Sequence, residues 1–221
     1  EAYRFDDAAN RLYAFVWGGF CDWYLEFSKP ILQGEDAPAQ AETRATIGWV
    51  LAQIVHLLHP LMPYVTEEVW AQLSGGAGLL LTAGWPELAA DLHDPARAAE
   101  MDWVVAAISA IRAVRSEINV PAAARVPLLV KDADDTVAAR LDRHREHILR
   151  LARVETIELV EAVPSGSVAV VVDGTSLILR LGDVVDLTQE KTRLGKEIGR
   201  LDADLAKFAA KLGNPGFLAK A

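Results

Sequence analysis

Apolar residues recur at spacings of three and four along most of this chain, and that helical period constrains its fold more than any other feature. It runs through residues 5–27, 43–61 and 101–118. The period then changes to short apolar runs and alternating residues, which predict about four strands between residues 122 and 186. Asp173-Gly174 separates two of these runs and predicts a hairpin turn. We therefore expect a mainly α protein with one small α+β unit.

Prolines and capping residues indicate where the helices begin and end. Pro30 and Gly34 are expected to close the first helix, because proline removes an amide donor and clashes with the preceding turn. Thr66 followed by two glutamates predicts a helix start with solvated carboxylates. Asp94-Pro95 predicts another start, with proline at the first helical position.

Three regions follow from these signals. A helical bundle is expected over residues 1–105, a joining helix with the α+β unit over 106–186, and a long helix over 187–221. The long helix has a two-in-seven apolar seam with one lysine in it, formed by Leu187, Lys191, Leu194, Ile198, Leu201, Leu205, Phe208 and Leu212. So narrow a seam predicts a partner helix. The turn residues from Gly213 to Gly216 indicate that this partner returns after residue 221.

The net charge of −9 argues against nucleic acid, but the charge is unevenly distributed. Residues 187–221 hold seven basic and four acidic side chains, and a phosphate responds to charge within a Debye length of about 8 Å. Five cations share one face of the predicted helix, namely Arg193, Lys196, Arg200, Lys207 and Lys211. Such a row predicts contacts to RNA phosphates. The alternative is a solvated coiled-coil flank with intrahelical pairs, such as Glu197 with Arg193 or Arg200.

Aromatic and basic residues in the first half of the chain are further candidates for RNA contact. Most aromatic residues near the N-terminus must form the bundle core, but Tyr13 and Trp17 fall partly off the apolar stripe and are expected to be exposed. Exposed aromatic rings stack on unpaired bases. The basic candidates for this region are Arg4, Arg11, Arg112 and Arg115. Some of the arginines between residues 112 and 153 are expected to form structural pairs instead.

The residues predict no catalytic constellation, phosphate loop or dinucleotide fingerprint. The pair of His56 and His59 lies one helical turn apart, but no third ligand has convincing spacing, so a helix-end pair is the favoured interpretation over a metal site. Cys21 is the single cysteine, which rules out an internal disulfide or a cysteine-rich zinc site. A reducing, cytoplasmic setting is expected, and no apolar run approaches a membrane span.

Two motifs in the first part resemble the anticodon-binding bundle of class Ia aminoacyl-tRNA synthetases, the valine, isoleucine and leucine group. They are the run from Phe20 to Glu26 with Lys29, and the run HPLMPYVTEEVW from His59 to Trp70. The second run is specific to the group but does not select the amino acid. Its Pro, Thr and Glu residues are a helix stop and a helix start, which is scaffold rather than contact.

The C-terminal part resembles valyl-tRNA synthetases. The leucine seam with basic flanks and the ending KLGNPGFLAKA look like the first half of their coiled-coil arm, and IRAVRSEINVP from Ile111 to Pro121 looks like the region before it. Isoleucyl enzymes usually end in a cysteine-ligated zinc module, which a single cysteine cannot form. An isoleucyl or leucyl enzyme, or a coiled-coil scaffold without an RNA role, remains the alternative.

The resemblance implies that the bundle grips the anticodon stem-loop of tRNA(Val) and that the arm lies against the tRNA elbow. It also implies a monomeric parent enzyme, in which upstream domains use ATP and Mg²⁺, attach valine and remove misattached threonine. Both ends of the chain, Glu1 and Ala221, are expected to have been cut from that longer protein. The chain by itself is then expected to need no cofactor and to lack a catalytic site.

Overall fold

The computed structural model describes residues 3–182 and 187–213, and the chain divides into two compact units between Asp94 and Pro95. The boundary expected after residue 105 lies inside the helix that begins at Pro95. That helix packs on the strands that follow it, so the division falls at its N-terminus. The described part contains no helix long and apolar enough to cross a membrane.

Unit 1, which ends at Asp94, is helical. Its elements are α1 (Phe5–Ala14), a π-helical segment (Phe15–Tyr24), α2 (Leu25–Gln33), α3 (Ala37–Leu58) and α4 (Pro63–Leu73), followed by 3₁₀ turns at Leu80–Thr82 and Ala90–Leu92. The Asp36 carboxylate caps α3 by accepting from the Ala39 amide at 3.0 Å. The apolar faces of several amphipathic helices therefore form the core of unit 1.

The first helix differs from its prediction in two ways. It does not end at Pro30, which lies inside α2; it ends at Gly34. Phe27 and Ser28 are buried just before the proline, and such packing overrides the intrinsic helix-breaking tendency. The apolar stripe is buried only from Phe20 onwards, whereas Phe5 is exposed. Tertiary packing therefore covers the second half of the stripe.

The segment from His59 to Trp70 is organised around Thr66 and Glu67. Helix α4 begins at Pro63, so Thr66 is not its cap; the Thr66 hydroxyl donates to the Met62 carbonyl at 2.8 Å and accepts from His59 Nδ1 at 2.8 Å. The Glu67 carboxylate is not simply solvated either. It accepts the backbone amides of Leu80 at 2.9 Å and Leu81 at 2.8 Å. The two amides, Leu81 first, lower the pKa of Glu67.

Unit 2 begins with α5 (Pro95–Glu117) and contains a four-stranded sheet. The strands are β1 (Val126–Lys131), β2 (Val154–Leu159), β3 (Ser167–Val172) and β4 (Thr175–Arg180), in the spatial order β2-β1-β4-β3. Helices α6 (Asp135–Arg143) and α7 (Arg145–Leu151) connect β1 to the parallel strand β2. Buried α5 residues, including Trp103, Ile108 and Ile111, pack in the core with the strands.

The hairpin predicted at Asp173-Gly174 is present. Strands β3 and β4 are antiparallel, and Val172 pairs with Thr175 across a two-residue loop. Asp173 and Gly174 have φ angles of 47° and 83°, the positive values that a type I′ turn needs at both central positions. The turn fixes the register that brings Leu177, Ile178 and Leu179 into the core.

Glu100 on α5 ties this helix to the junction of α6 and α7. Its carboxylate accepts from Arg143 Nη1, with 2.7 Å to Oε2, and from His144 Nε2 at 2.8 Å. Only 12% of the Glu100 side chain is exposed. The hydrogen bonds from Arg143 and His144 lower the pKa of Glu100 to about 2.

The final helix, α8 (Leu187–Leu212), leaves its seam in solvent. Between 42% and 65% of the residue surface is exposed at the six seam positions Leu194, Ile198, Leu201, Leu205, Phe208 and Leu212. It ends at Leu212, just before the predicted turn residues; residues 214–221 of the expected region lie outside the described part of the chain. A row of exposed leucines on one helix is a surface that a partner would cover, and the described residues supply no such cover.

Replacing Glu100 by glutamine should reveal its contribution to stability. At pH 7 we expect Glu100→Gln to lower the unfolding free energy by about 1–3 kcal/mol, because Arg143 and His144 lose a charged acceptor. A depressed carboxyl pKa stabilises the fold above the ordinary value of 4.5, and this contribution declines as the pH falls towards about 2. The difference between the two proteins in urea unfolding should therefore shrink below pH 4.5. Glu155→Gln, at an exposed position on β2, is the control and should change little.

Candidate nucleic-acid interface

The five cations predicted on the final helix are exposed along one side of α8. At about 100° and 1.5 Å per residue, they fall within about 60° of one another and span about 27 Å. The centre of their row lies about 130° around the helix from the centre of the apolar seam. The row, Arg193, Lys196, Arg200, Lys207 and Lys211, is called the cation row below. A partner on the seam would therefore leave the cation row in solvent.

Three members of the cation row pair with acids of the same helix. Arg200 lies 3.1 Å from Glu197, and Lys207 lies 3.1 Å from Asp204. Arg193 lies 3.7 Å from Glu197. The intrahelical pairs named as the alternative are thus present, but between 41% and 72% of the side chains in them is exposed. Ion pairs this exposed contribute little, so an RNA phosphate can displace the acid.

Not every member of the cation row is equally available. Within the part of the chain that the structure describes, Lys196 and Lys211 have no acidic partner. Arg193 makes a contact of another kind, because its Nη2 donates to the backbone carbonyl of Glu117 at 2.9 Å. The row therefore combines open lysines, weakly paired residues and one residue that is bound to unit 2.

Tyr13 and Trp17 are exposed, as their offset from the stripe predicted, by 66% and 55%. Their ring centroids lie 6.4 Å apart at an interplanar angle of 52°. Both rings line an apolar groove of about 290 Å³, with Ala9, Val16, Leu58, Leu61 and Met62 as the other lining residues. Trp17 lies in the π-helical segment, a feature that is frequent at functional sites and that the sequence reading missed.

The two basic candidates near the N-terminus differ in their surroundings. Arg4 donates to Asp6 at 3.2 Å and to Asp7 at 2.9 Å, so its charge is locally neutralised. Arg11 is exposed, and among the described residues it has no acidic partner. It is two residues from Tyr13 in the chain, which places it about 200° around α1 from that ring, and it does not line the groove. Arg11 is therefore more open than Arg4 but does not face the groove.

Arg115 is corrected from a contact candidate to a buried structural residue. It is only 7% exposed, and its guanidinium donates to the carbonyls of Ala124 at 2.7 Å, Arg153 at 3.2 Å and Pro121 at 3.3 Å. Arg112 remains exposed, but its Nε donates to the Leu151 carbonyl at 2.8 Å. The sequence does not distinguish these roles, because the carbonyls lie up to 39 residues away.

The histidine pair of α3 is engaged within the protein. His56 Nδ1 lies 2.9 Å from the Ala52 carbonyl, and the His56 ring meets Trp70 edge-on at 4.7 Å. His59 is bound to Thr66 as described above. Across residues 3–182 and 187–213, no group of three or more His, Cys, Asp or Glu side chains could hold a metal ion.

A scan of known families identifies the class of this chain. Residues 1–130 match the family described as the anticodon-binding domain of tRNA ligase, which covers unit 1, α5 and β1. The chain belongs to that family. Residues 186–221, which include α8, match a second family, described as the valyl tRNA synthetase tRNA binding arm.

Curated relatives agree with the narrower assignment. A valine--tRNA ligase of Ruegeria pomeroyi is 46% identical over 222 residues, and one of Caulobacter vibrioides is 46% identical over 225. One of Nitrobacter winogradskyi is 40% identical over 248 residues. Among tRNA ligases the chain is thus placed with the valine--tRNA ligases, which decides between the valine, isoleucine and leucine groups. All of this chain is matched, and it spans about a quarter of the relatives' length, 22–26%.

The reassignment of Arg115 can be checked by stability alone. Arg115→Met keeps an apolar stem but leaves three carbonyls without their donor, so we expect a loss of about 2–4 kcal/mol in unfolding free energy. Arg11→Met, on the exposed side of α1, should stay within about 0.5 kcal/mol of the unmodified protein. Urea unfolding monitored by circular dichroism measures both. Equal stability of the two variants would return Arg115 to the list of surface candidates.

Proposed function

We propose that this chain holds tRNA(Val) for a valine--tRNA ligase, with unit 1 at the anticodon stem-loop and α8 at the tRNA elbow. The observation that carries the proposal is the exposed cation row on a helix that matches a tRNA-binding arm. Phosphate contacts need cations held along one face and no sequence code. Arg200, Lys207 and Lys211 supply them along the distal part of α8, and Lys196 near its start.

The groove of unit 1 is proposed as the place where an unpaired anticodon-loop base stacks. Tyr13 and Trp17 present exposed rings, and every base has a π-face that such rings accept. Arg11, which is exposed on the other side of α1, is kept as a candidate phosphate contact of unit 1 outside the groove. Arg4 and Arg112 are secondary candidates, because both already bind groups of the protein.

The chemistry is assigned to the other three quarters of the ligase. There ATP and Mg²⁺ would bind, valine would be attached, and misattached threonine would be hydrolysed. Editing has a physical cause, since a hydrophobic pocket rejects an added hydroxyl on an isosteric side chain only about a hundredfold. This chain then positions the tRNA and does not itself catalyse the reaction. We further propose that the whole ligase is monomeric and cytoplasmic, and that the bundle, the joining helix with its α+β unit, and α8 are functional divisions of this chain, with the first boundary at Pro95 rather than after residue 105.

The exposed seam of α8 is proposed to pair with a returning helix of the same ligase. Leu201, Leu205 and Phe208 are half exposed or more in this chain, which a second seam of similar length would cover. The same seam also favours a second candidate function, a coiled-coil scaffold that pairs two copies. Sedimentation with and without tRNA, repeated on a longer chain that includes the return helix, separates them. A dimer that persists in the longer chain and ignores tRNA would favour the scaffold.

Charge reversal on α8 tests the elbow contact. In the whole ligase, Arg200→Glu and Lys207→Glu should each raise the KM for tRNA(Val) and leave valine-dependent pyrophosphate exchange unchanged, because only the phosphate contact is lost. In this chain alone, binding of tRNA(Val) should be weak and should fall steeply with added salt. Lys131→Glu, a reversal on β1 away from the cation row, is the control. Loss of pyrophosphate exchange, or salt-independent binding, would contradict the assigned role.

Removal of one ring tests the groove. Trp17→Ala should weaken binding of tRNA(Val) by about 1–3 kcal/mol, the contribution of stacking on one base. Trp85→Ala is a matched control, since Trp85 is a similarly exposed tryptophan of unit 1, 63% against 55%, and lies outside the groove. Binding is measured by fluorescence anisotropy with labelled tRNA at low salt. If both variants bind alike, the groove is not the stacking site.

A further inference from the structure

One member of the cation row is bound to a second element of the protein. Arg193 Nη2 donates to the Glu117 carbonyl at 2.9 Å, while its Nη1 lies 3.7 Å from Glu197 Oε2. Glu117 is the last residue of α5, and Glu197 lies one turn further along α8. The guanidinium therefore links the first turns of α8 to the end of α5. The Glu197 carboxylate of the same helix lies beside it.

The carbonyl that accepts this bond is suited to a cation. The last carbonyls of a helix have no intrahelical partner, and the helix dipole adds negative potential at that end. A charge-assisted bond to such a group is stronger than one between neutral groups. A planar guanidinium can donate to the carbonyl and face a carboxylate at the same time. The lysines of the row cannot do both in one fixed geometry.

The receiving end of α5 is held firmly in unit 2. Ile108, Ile111 and Val114 are buried in its core, and Arg115 ties the turn after α5 to the carbonyls of Pro121 and Ala124. By contrast, the described side chains of α8 from Lys191 onwards are exposed except for the partly covered Asp204. Among the described side chains of α8, Arg193 therefore makes a contact that reaches a distant element, the end of α5.

We propose that Arg193 is a positioning residue, which sets the direction of the arm helix α8 relative to α5 and is not itself a phosphate contact. The proposal rests on the proposed tRNA-binding role of α8. The 19 residues of α8 beyond Arg193 form a lever of about 28 Å, so a change of about 10° at its base moves the tip by about 5 Å. Such a displacement would carry Lys207 and Lys211 away from the phosphates they are proposed to meet.

The direction of α8 can be measured without tRNA. Cys21 is first replaced by serine. Spin labels are then attached to cysteines introduced at two exposed positions, Ser109→Cys on α5 and Ala203→Cys on α8. The distribution of distances between the two labels is recorded. Arg193→Ala should broaden or shift the distribution. Lys196→Ala, the next cation of the row, should leave it unchanged and serves as the matched control. An identical distribution for the Arg193 variant and the unmodified protein would overturn the proposal.

The salt dependence of binding separates positioning from phosphate contact. Each lost phosphate contact lowers the slope of log affinity against log salt by about 0.7–0.9. Lys196→Ala should lower the slope of tRNA(Val) binding by that amount. Arg193→Ala should weaken binding and lower the slope by more than one contact, because Lys207 and Lys211 move away from their phosphates together. A slope that falls only as much for Arg193→Ala as for Lys196→Ala would make Arg193 an ordinary phosphate contact.

The two measurements also distinguish a failure of the proposed function from a failure of the positioning role. If the unmodified protein fails to bind tRNA(Val) at low salt, the proposed function is wrong, and the spin-label distances alone decide whether Arg193 positions the helix. If tRNA binds and the distances do not respond to Arg193→Ala, only the positioning role is wrong.

Discussion

The buried guanidinium of Arg115 is the interaction on which the second half of this structure depends. A charge so far from water is tolerated only where it is hydrogen-bonded, and three carbonyls provide that here, two from the turn after α5 and one from Arg153, just before β2. In return the arginine satisfies backbone groups that the turn after α5 would otherwise leave unpaired. The end of α5 thereby becomes a fixed point. The sheet packs against α5, and α8 is attached to the last carbonyl of α5 through Arg193.

The same residue type has opposite uses a short distance apart. Arg115 and Arg153 direct their charges at backbone carbonyls, whereas Arg200 faces solvent with a weakly held acid beside it. Only an arginine of the second kind can exchange its acidic partner for an RNA phosphate at a small cost in free energy. This explains how a chain with a net charge of −9 can carry a helix that is proposed to bind RNA. What matters is the free charge within a Debye length of the ligand, not the sum over the molecule.

Local signals allowed most of the secondary structure to be predicted from the sequence. Pro95 begins α5, Asp173-Gly174 forms the hairpin, and the seam of α8 has the expected length, because each depends on residues close in the chain. The prediction at Pro30 was wrong because packing of the neighbouring residues overrides its helix-breaking tendency. The prediction at Thr66 was wrong because α4 already begins at Pro63, with proline at the first helical position. The roles of Glu67 and Arg115 depend on partners that are distant in sequence, and no local pattern reveals them. For the candidate site the exposure of Tyr13, Trp17 and the cation row was predictable, whereas the groove and the bond to Glu117 were not.

The two faces of α8 make its proposed pairing and its proposed RNA contact compatible. The seam and the cation row lie about 130° apart around the helix, so a helix packed on one leaves the other open. Pairing would also stiffen α8 along its length, but stiffness alone does not decide where the helix points. A straight helix needs a fixed base to present its cations at one place, and Arg193, the member of the cation row that binds a distant element of the described structure, lies at that base. The contact between Arg193 and Glu117 thus lies near the start of α8, where a fixed point determines the direction of the whole helix.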